Sequence, residues 1–147
     1  MSPDPPRVLY AEDNRLLMRQ VTDVLELLGC CVEHYADGVL AVSALRSAEG
    51  RRAHYDLLLL DNELPALRGL EIAREARQTA RWRQTPIILL ALEDCTEAAL
   101  EAGVDELLRK PNNLLTLADV VRRLLSASRG REKKTRRGRV TAEGKRA

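Results

Sequence analysis

The sequence has no phenylalanine, one tryptophan and three tyrosines among its 147 residues. A hydrophobic core must therefore be built from leucine, valine, isoleucine and alanine, and a hydrophobic content of 45% is sufficient for one domain of this length. No apolar run approaches the roughly 18 residues that a membrane-spanning helix needs. The first six residues also lack the apolar segment of a signal peptide, so we expect a cytoplasmic protein without a membrane segment.

The three cysteines do not form an evident disulfide set. Cys30, Cys31 and Cys95 are an odd number, and their spacing is not that of metal ligands. Two adjacent cysteines are poorly placed to bond to each other, given the geometry that a disulfide requires. We interpret all three as reduced thiols of a protein from a reducing compartment.

The formal net charge of +2 hides a division of the chain into an acidic and a basic part. Residues 129–147 contain nine lysines or arginines and two glutamates, a charge of +7, which leaves −5 for residues 1–128. The basic segment has almost no apolar residues and cannot bury enough surface to offset its ordering entropy. We expect residues 1–6 and 129–147 to be disordered around a domain of residues 7–128. A solvated terminus is the simpler interpretation of the basic segment, and contact with nucleic acid is the alternative.

Short apolar segments alternate with segments of helical periodicity along residues 7–127. The predicted strands cover residues 7–11, 31–35, 55–61, 86–91 and 105–109. The predicted helices cover about residues 15–28, 39–48, 67–80, 96–102 and 114–127, with Asn14 as the first N-cap and Gly29 as the first C-terminal stop. Strict alternation with short connections predicts an α/β fold whose parallel strands are covered by helices on both faces.

Asp61 follows four consecutive leucines, a run typical of a strand that is buried on both faces. Taken alone, Asp61 is equally well explained as the cap of the following turn. However, the carboxyl ends of parallel strands meet at one edge of the sheet, where open α/β folds build their sites. The predicted strands bring Glu12, Asp13 and Lys110 to that same edge, which favours a functional carboxylate.

Converging carboxylates repel one another and need a cation nearby. Carboxylate oxygens at a solvent-facing edge suit Mg²⁺, and Lys110 adds a compact positive charge. A carboxylate in such surroundings can attack a phosphoryl group and form an aspartyl phosphate. Asp61 is the best candidate for this nucleophile because it lies on the central strand, whereas Glu12 and Asp13 form a pair suited to hold the metal.

Over about residues 7–127, the sequence resembles the response-regulator receiver domain of bacterial two-component signalling. The acidic pair lies in L-Y-A-E-D-N, and residues 103–111, G-V-D-E-L-L-R-K-P, resemble the family's G-A-D-D-Y-L-x-K-P block. The segment from Asp61 to Glu71 has the family's D-x-x-M-P-x-M-D-G-x-E spacing, with leucine for each methionine and Arg68 for the second aspartate. Each match alone is weak, but their order and spacing together are specific.

The resemblance implies a flavodoxin-like five-stranded parallel sheet of order 2-1-3-4-5, in a regulator of the single-domain type. It implies that Asp61 accepts a phosphoryl group from a histidine kinase or a histidine phosphotransfer protein, and that the protein is otherwise not an enzyme. The output would be contact with a downstream protein through the fourth helix, the fifth strand and the last helix.

The resemblance also implies roles for the residues around Asp61. The implied Mg²⁺ ligands are Asp13 and Asp61 directly, Glu12 through water, and the backbone carbonyl of Glu63. Lys110 would pair with the phosphoryl group, and Pro111, after a cis peptide bond, would set the turn that aims it.

Two positions depart from the family pattern. Ala91 stands at the end of the fourth strand, where the family has threonine or serine, and Leu107 stands in the fifth strand, where the family has an aromatic residue. In the family the hydroxyl contacts the phosphoryl oxygen and the ring turns inward behind it, which neither Ala91 nor Leu107 can do. Two hypotheses follow. Phosphorylation of Asp61 is signalled through rearrangement of the adjacent loop and the fourth helix, or the domain is a phosphorylation-insensitive adaptor.

Other functions on the same architecture fit the residues less well. A haloacid-dehalogenase-like phosphatase needs a second aspartate two residues after its nucleophile, where this chain has Glu63. A flavin-binding protein would cradle phosphate after the first strand, where Glu12 and Asp13 would repel it. The G-x-x-x-x-G-K-[ST] motif of nucleotide hydrolases is absent from the sequence.

Three residues outside the motifs have simple structural interpretations. His34 and His54 are expected at the surface or at strand ends, away from the strand-end site. Trp82 lies in a polar connection and is expected to cover a helix end.

Overall fold

The computed structural model describes residues 4–49, 54–110 and 113–128. Its strands are β1 (Arg7–Ala11), β2 (Cys31–Tyr35), β3 (Leu57–Asp61), β4 (Ile87–Ala91) and β5 (Glu106–Arg109). Its helices are α1 (Arg15–Leu27), α2 (Gly38–Glu49), α3 (Gly69–Gln78), α4 (Thr96–Glu101) and α5 (residues 114–128). Residues 1–3, Pro111 and the basic segment 129–147 lie outside the described residues, and so do the predictions made for them. Within the described ranges, no helix is both long and apolar enough to cross a membrane.

The five strands form one parallel sheet in the order β2-β1-β3-β4-β5, which confirms the predicted flavodoxin-like topology. In its ladders Ala11 lies opposite Leu60, Asp61 opposite Leu90, and Ala91 opposite Arg109. The residues that follow β1 and β5 therefore leave the sheet near Asp61, displaced from it by at most about two residues along the strand direction. The register of the sheet itself brings the predicted site residues together.

Both faces of the sheet are covered, which explains why the central strands are apolar throughout. Leu58 and Leu60 pack into the cluster that includes residues of α2 and α3, whereas Leu57 and Leu59 pack into the cluster that includes residues of α1 and α5. All four side chains are fully buried. Since burial of a leucine contributes about 1.5–3 kcal/mol, this run stabilises the sheet strongly and supports Asp61 at its end.

The first helix begins and ends where the sequence predicts. Asn14 Oδ1 accepts a hydrogen bond from an amide of the first turn (3.0 Å), which supplies a partner that the helix start otherwise lacks. Gly29 has a φ of +87°, in the left-handed region where helices commonly end on glycine. α3 begins at Gly69, two residues later than predicted, because residues 65–67 first form a tight turn in which Ala66 has a φ of +68°.

Trp82 does more than cover a helix end. Its side chain is 1% exposed and lies in the same core cluster as residues of α2 and α3. The indole Nε1 donates to the backbone carbonyl of Leu45 in α2 (3.3 Å), and its ring centre lies 5.4 Å from that of Tyr55. The polar residues beside Trp82 in the sequence conceal this burial, because its contacts lie far along the chain.

Arg77 of α3 joins separate segments through its guanidinium group. It donates to the backbone carbonyls of Gly103 (2.9 Å), Trp82 (2.9 Å) and Thr85 (2.7 Å) and to the Asp105 carboxylate (2.9 Å). These bonds use most of the group's donors and tie α3 to the connections that precede β4 and β5.

We expect Arg77→Ala to lower the free energy of unfolding by about 2–4 kcal/mol, because it leaves three carbonyls without this donor and removes the ion-pair partner of Asp105. Arg74→Ala, on the exposed face of the same helix, is the matched control and should change it by less than about 0.5 kcal/mol. Urea unfolding followed by circular dichroism measures both. Equal losses in the two variants would contradict a specific role for the Arg77 bonds.

Candidate functional site

Three carboxylates meet at the carboxyl edge of the sheet. Glu12 and Asp13 follow β1, Asp61 ends β3, and one oxygen of each lies within 4.8 Å of the others. Glu12 and Asp61 are fully buried, whereas Asp13 is exposed. The strand ends thus place these groups as the sequence predicts, and the buried pair would repel strongly without a positive charge nearby.

Lys110 supplies a positive charge beside this pair. Its Nζ lies 2.8 Å from Asp61 Oδ1 and 3.3 Å from Glu12 Oε1. The lysine side chain is only 11% exposed, so these ion pairs are screened much less than pairs on the surface. The Lys110 amide donates to the Ala91 carbonyl (2.8 Å), which fixes the base of the side chain at the end of β4.

The two oxygens of the Asp61 carboxylate have different surroundings. Oδ1 contacts Lys110 Nζ and accepts a hydrogen bond from the backbone amide of Glu63 (3.0 Å). Oδ2 is buried and has no hydrogen-bond partner among the described residues. A buried carboxylate oxygen without a partner is costly, and it marks a position suited to a cation or to a reacting group.

An open cleft of about 560 Å³ lies over these residues. Besides the charged groups, its walls include Asn14, Leu17, Gln20, Leu92 and Leu114. An opening of this kind gives a group on another molecule direct access to the carboxylates.

Burial and the neighbouring charges shift the pKa values of these charged groups in different directions. Burial, together with the adjacent Asp61 carboxylate, raises the pKa of Glu12 from 4.5 to about 7. Burial acts in the same direction on Asp61, but its interactions with the Glu12 carboxyl, with Lys110 and with the Glu63 backbone amide outweigh it and hold the pKa of Asp61 below its usual value. Burial opposes the charge on Lys110, yet Asp61 and Glu12 stabilise the ammonium and raise its pKa. Asp61 is therefore the member of the buried pair that loses its proton first as the pH rises.

The segment between β3 and α3 packs closely against the Asp61 backbone. A Cβ at Gly69 would lie 2.7 Å from the Asp61 carbonyl oxygen and 2.6 Å from a methyl carbon of Leu89, so only glycine allows this approach. Asn62 Oδ1 accepts the Leu70 amide (3.1 Å), which ties the segment to the first turn of α3. A strand, a loop and a helix together hold the Asp61 backbone in place.

Comparison with known proteins agrees with this geometry. Residues 8–122 match the family model of the response regulator receiver domain. The chain belongs to this family. The receiver domain is 39% identical over 128 residues to the response regulator PmrA of Pseudomonas aeruginosa, which covers 85% of the chain and 55% of that protein. It is 33% identical to the transcriptional regulatory protein QseB of Haemophilus influenzae, over 85% of the chain and 53% of that protein. The chain thus spans about half the length of the curated relatives it matches.

Solved structures show the same fold. The receiver domain of a sensor histidine kinase from Pseudomonas aeruginosa is 34% identical, with a TM-score of 0.71, and the match covers 83% of this chain and 98% of that one. That structure has a magnesium ion coordinated in its active-site cleft. A chemotaxis response regulator of Vibrio cholerae is 26% identical with a TM-score of 0.73, over 82% of this chain and 98% of that one.

Two residues make contacts with Glu12 that the sequence motifs do not indicate. His34 Nε2 lies 2.7 Å from the Glu12 carbonyl oxygen, and the Tyr10 hydroxyl lies 3.4 Å from Glu12 Oε1. The prediction that His34 lies away from the site is therefore wrong, whereas His54 contacts Asp56 (3.5 Å) just before β3. Tyr10 and His34 are opposite each other in the β1–β2 ladder, so only the strand register carries the signal. Burial, with Glu12 nearby, raises the pKa of Tyr10 far above its usual value.

The two positions that depart from the family pattern lie at the end of β4 and within β5. Ala91 is the buried last residue of β4, and Leu107 is a half-buried residue of β5 that packs against the core. Neither side chain offers a polar group to Asp61. A different polar contact crosses this region, since Glu63 Oε1 accepts a hydrogen bond from the Leu92 amide (3.1 Å).

In the absence of divalent cations, we expect Glu12 to make the free energy of unfolding fall as the pH rises from 4.5 to about 7. The folded protein holds this proton more tightly than the unfolded chain does, so the stabilisation is complete below the lower value and is lost through the upper one. The raised pKa of Glu12 corresponds to about 3 kcal/mol.

Urea unfolding across this pH range measures the effect as the difference between the wild type and Glu12→Gln, which cannot ionise. Glu26→Gln, on the exposed face of α1, controls for the loss of a carboxylate. If the wild-type and Glu12→Gln curves run parallel, Glu12 does not titrate in this way.

Proposed function

We propose that this receiver domain accepts a phosphoryl group on Asp61 from the phosphohistidine of a histidine kinase or a histidine phosphotransfer protein. The Asp61 carboxylate is the observation that supports this most directly. One of its oxygens is held by Lys110 and by the Glu63 amide, and the other has no hydrogen-bond partner among the described residues. An ionised carboxylate with an uncommitted oxygen, in a cleft open to another protein, is a competent nucleophile.

The transfer exchanges one bond for another. An Asp61 oxygen attacks phosphorus and forms a P–O bond as the P–N bond of the donor histidine breaks. The electron pair returns to the imidazole nitrogen, which takes a proton from solvent. Lys110, 2.8 Å from Asp61, balances the negative charge that collects on the phosphoryl oxygens. The domain keeps the phosphoryl group and releases no product from it, so it is an acceptor rather than an enzyme.

Mg²⁺ is the metal that we propose for this site. Asp13 and Asp61 would bind it directly, Glu12 through water, and Glu63 through its backbone carbonyl. The residues fit such an ion because three carboxylates converge within 4.8 Å and one Asp61 oxygen has no hydrogen-bond partner in the described part of the chain. When bound, the ion would supply further positive charge to the phosphoryl oxygens.

For the protein as a whole, we propose a receiver domain of residues 7–128 whose output is contact with a downstream protein at α4, β5 and α5. Leu100 of α4 and Leu115 of α5 are 70% and 75% exposed and supply apolar contact area on this side. Binding of nucleic acid by residues 129–147 stays a prediction.

A phosphorylation-insensitive adaptor is the second candidate. It is favoured by Ala91 and Leu107, which remove the hydroxyl and the ring on which signalling in the family relies. The two candidates differ in whether Asp61 is chemically modified.

Incubation with Mg²⁺ and acetyl phosphate, followed by intact-mass measurement, should show the gain of one phosphoryl group. Asp61→Asn should abolish the gain, because an amide cannot act as this nucleophile. Asp37→Asn, a half-buried aspartate before α2, is the matched control and should retain it. No gain in the wild type would favour the adaptor, and a gain that persists in Asp61→Asn would place the phosphoryl group elsewhere.

Asp13→Asn should weaken Mg²⁺ binding by at least about tenfold, since even the loss of an outer-shell partner often has an effect of this size. Asp23 is exposed on α1, away from the proposed ligands. Asp23→Asn removes the same charge and should leave the affinity for Mg²⁺ nearly unchanged. Isothermal titration with MgCl₂ measures both. Equal affinities in the two variants would remove Asp13 from the ligand set.

A further inference from the structure

The peptide group of Leu92 is held from two directions. Its amide donates to Glu63 Oε1 (3.1 Å), and its carbonyl accepts from Arg109 Nε (3.2 Å) and Nη2 (2.9 Å). Leu92 immediately follows Ala91, and its side chain is 54% exposed and lines the cleft. The connection between β4 and α4 is therefore tied on one side to the loop that carries Glu63 and on the other to the end of β5.

Glu63 is also tied to Asp61. The Glu63 amide donates to Asp61 Oδ1 (3.0 Å), and the two side chains line the same cleft. The Glu63 carboxylate is exposed, so it can leave Leu92 and remain solvated. One residue thus contacts both the proposed phosphoacceptor and the connection that follows β4.

We propose that the Glu63 carboxylate passes the state of Asp61 to the connection between β4 and α4, by releasing the Leu92 amide when Asp61 carries a phosphoryl group. This inference rests on the function proposed above and specifies how the domain responds to it. The link runs through the backbone of Leu92, which compensates for the hydroxyl that Ala91 lacks.

Charge gives the physical reason for the release. A phosphoryl group brings a charge of about −1.5 to −2 and three acceptor oxygens to a position beside Glu63. The like charges repel, and the phosphoryl oxygens compete with Glu63 for the Leu92 amide. Because Arg109 holds the Leu92 carbonyl, a shift of this peptide is transmitted to the end of β5 and to the exposed Leu92 side chain.

The first test uses the unphosphorylated protein. The exchange rate of the Leu92 amide, measured by NMR, should rise about tenfold in Glu63→Ala, as expected for the loss of one hydrogen bond. Glu63→Gln keeps an acceptor oxygen and should stay within about threefold of the wild type. Glu93→Gln removes a charge from the same connection without removing the Glu63 acceptor, and it should have no effect. An unchanged rate in Glu63→Ala would overturn the inference.

The second test adds Mg²⁺ and beryllofluoride as a stable mimic of the phosphoryl group, with Asp61→Asn as the control for binding. In the loaded state, the wild type and Glu63→Ala should show the same Leu92 exchange rate, because Glu63 no longer holds this amide. A tenfold difference that persists after loading would overturn the inference.

The third test measures the rate of phosphoryl uptake from acetyl phosphate. Glu63→Gln should accelerate uptake by about three- to tenfold, because it removes a negative charge beside the approaching donor while keeping the acceptor. An unchanged or slower rate would contradict the repulsion between the Glu63 carboxylate and the phosphodonor. Complete absence of uptake in the wild type would overturn both this inference and the proposed function, whereas uptake with a persistent Leu92 difference would overturn this inference alone.

Discussion

Two buried carboxylates and the ammonium group that compensates them impose the strongest constraint on this molecule. Glu12 and Asp61 are fully buried, and Lys110 Nζ lies within 3.3 Å of both. Removing one partner from a buried pair of charges costs several kcal/mol, so the end of β5 must reach the ends of β1 and β3. A parallel sheet satisfies this requirement because all its strands finish at the same edge. The helices that cover both faces then exclude water from the strands that carry the charges.

Membership in the receiver family and the departures from its pattern concern different parts of the domain. The shared residues lie at the carboxyl edge, where charge and burial decide which groups are ionised. Ala91 ends β4 and Leu107 lies within β5, and neither side chain offers a polar group to Asp61. Glu63 and Arg109 both form hydrogen bonds with the Leu92 peptide group. These bonds join the loop after β3 and the end of β5 through the backbone of Leu92.

Much of the architecture follows from short stretches of sequence. The Asn14 cap and the Gly29 stop could be assigned because helix ends are set by residues within a few positions of one another. The leucine run before Asp61 indicates a strand covered on both faces, since a half-exposed strand would alternate with polar residues. Glu12 and Lys110 could be assigned to the same edge from the sequence alone, because parallel strands that alternate with helices all have their carboxyl ends at one edge of the sheet. Local pattern and one topological rule were thus enough for the alternating parallel architecture and for the charged centre of the site, whereas the strand order followed from the family resemblance.

Other features arise only when the chain is folded. His34 contacts Glu12 and Trp82 contacts Leu45 across 22 and 37 positions of sequence, and neither pair belongs to a motif. The same is true of the Glu63 hydrogen bond to Leu92, which joins two loops that are neighbours only in space. Sequence order also gives no reason for the pKa of Glu12 to rise while that of Asp61 falls. Both carboxylates are fully buried, so that difference depends on the hydrogen bonds that each accepts and on its distance from the Lys110 ammonium group, and the packed sheet determines both.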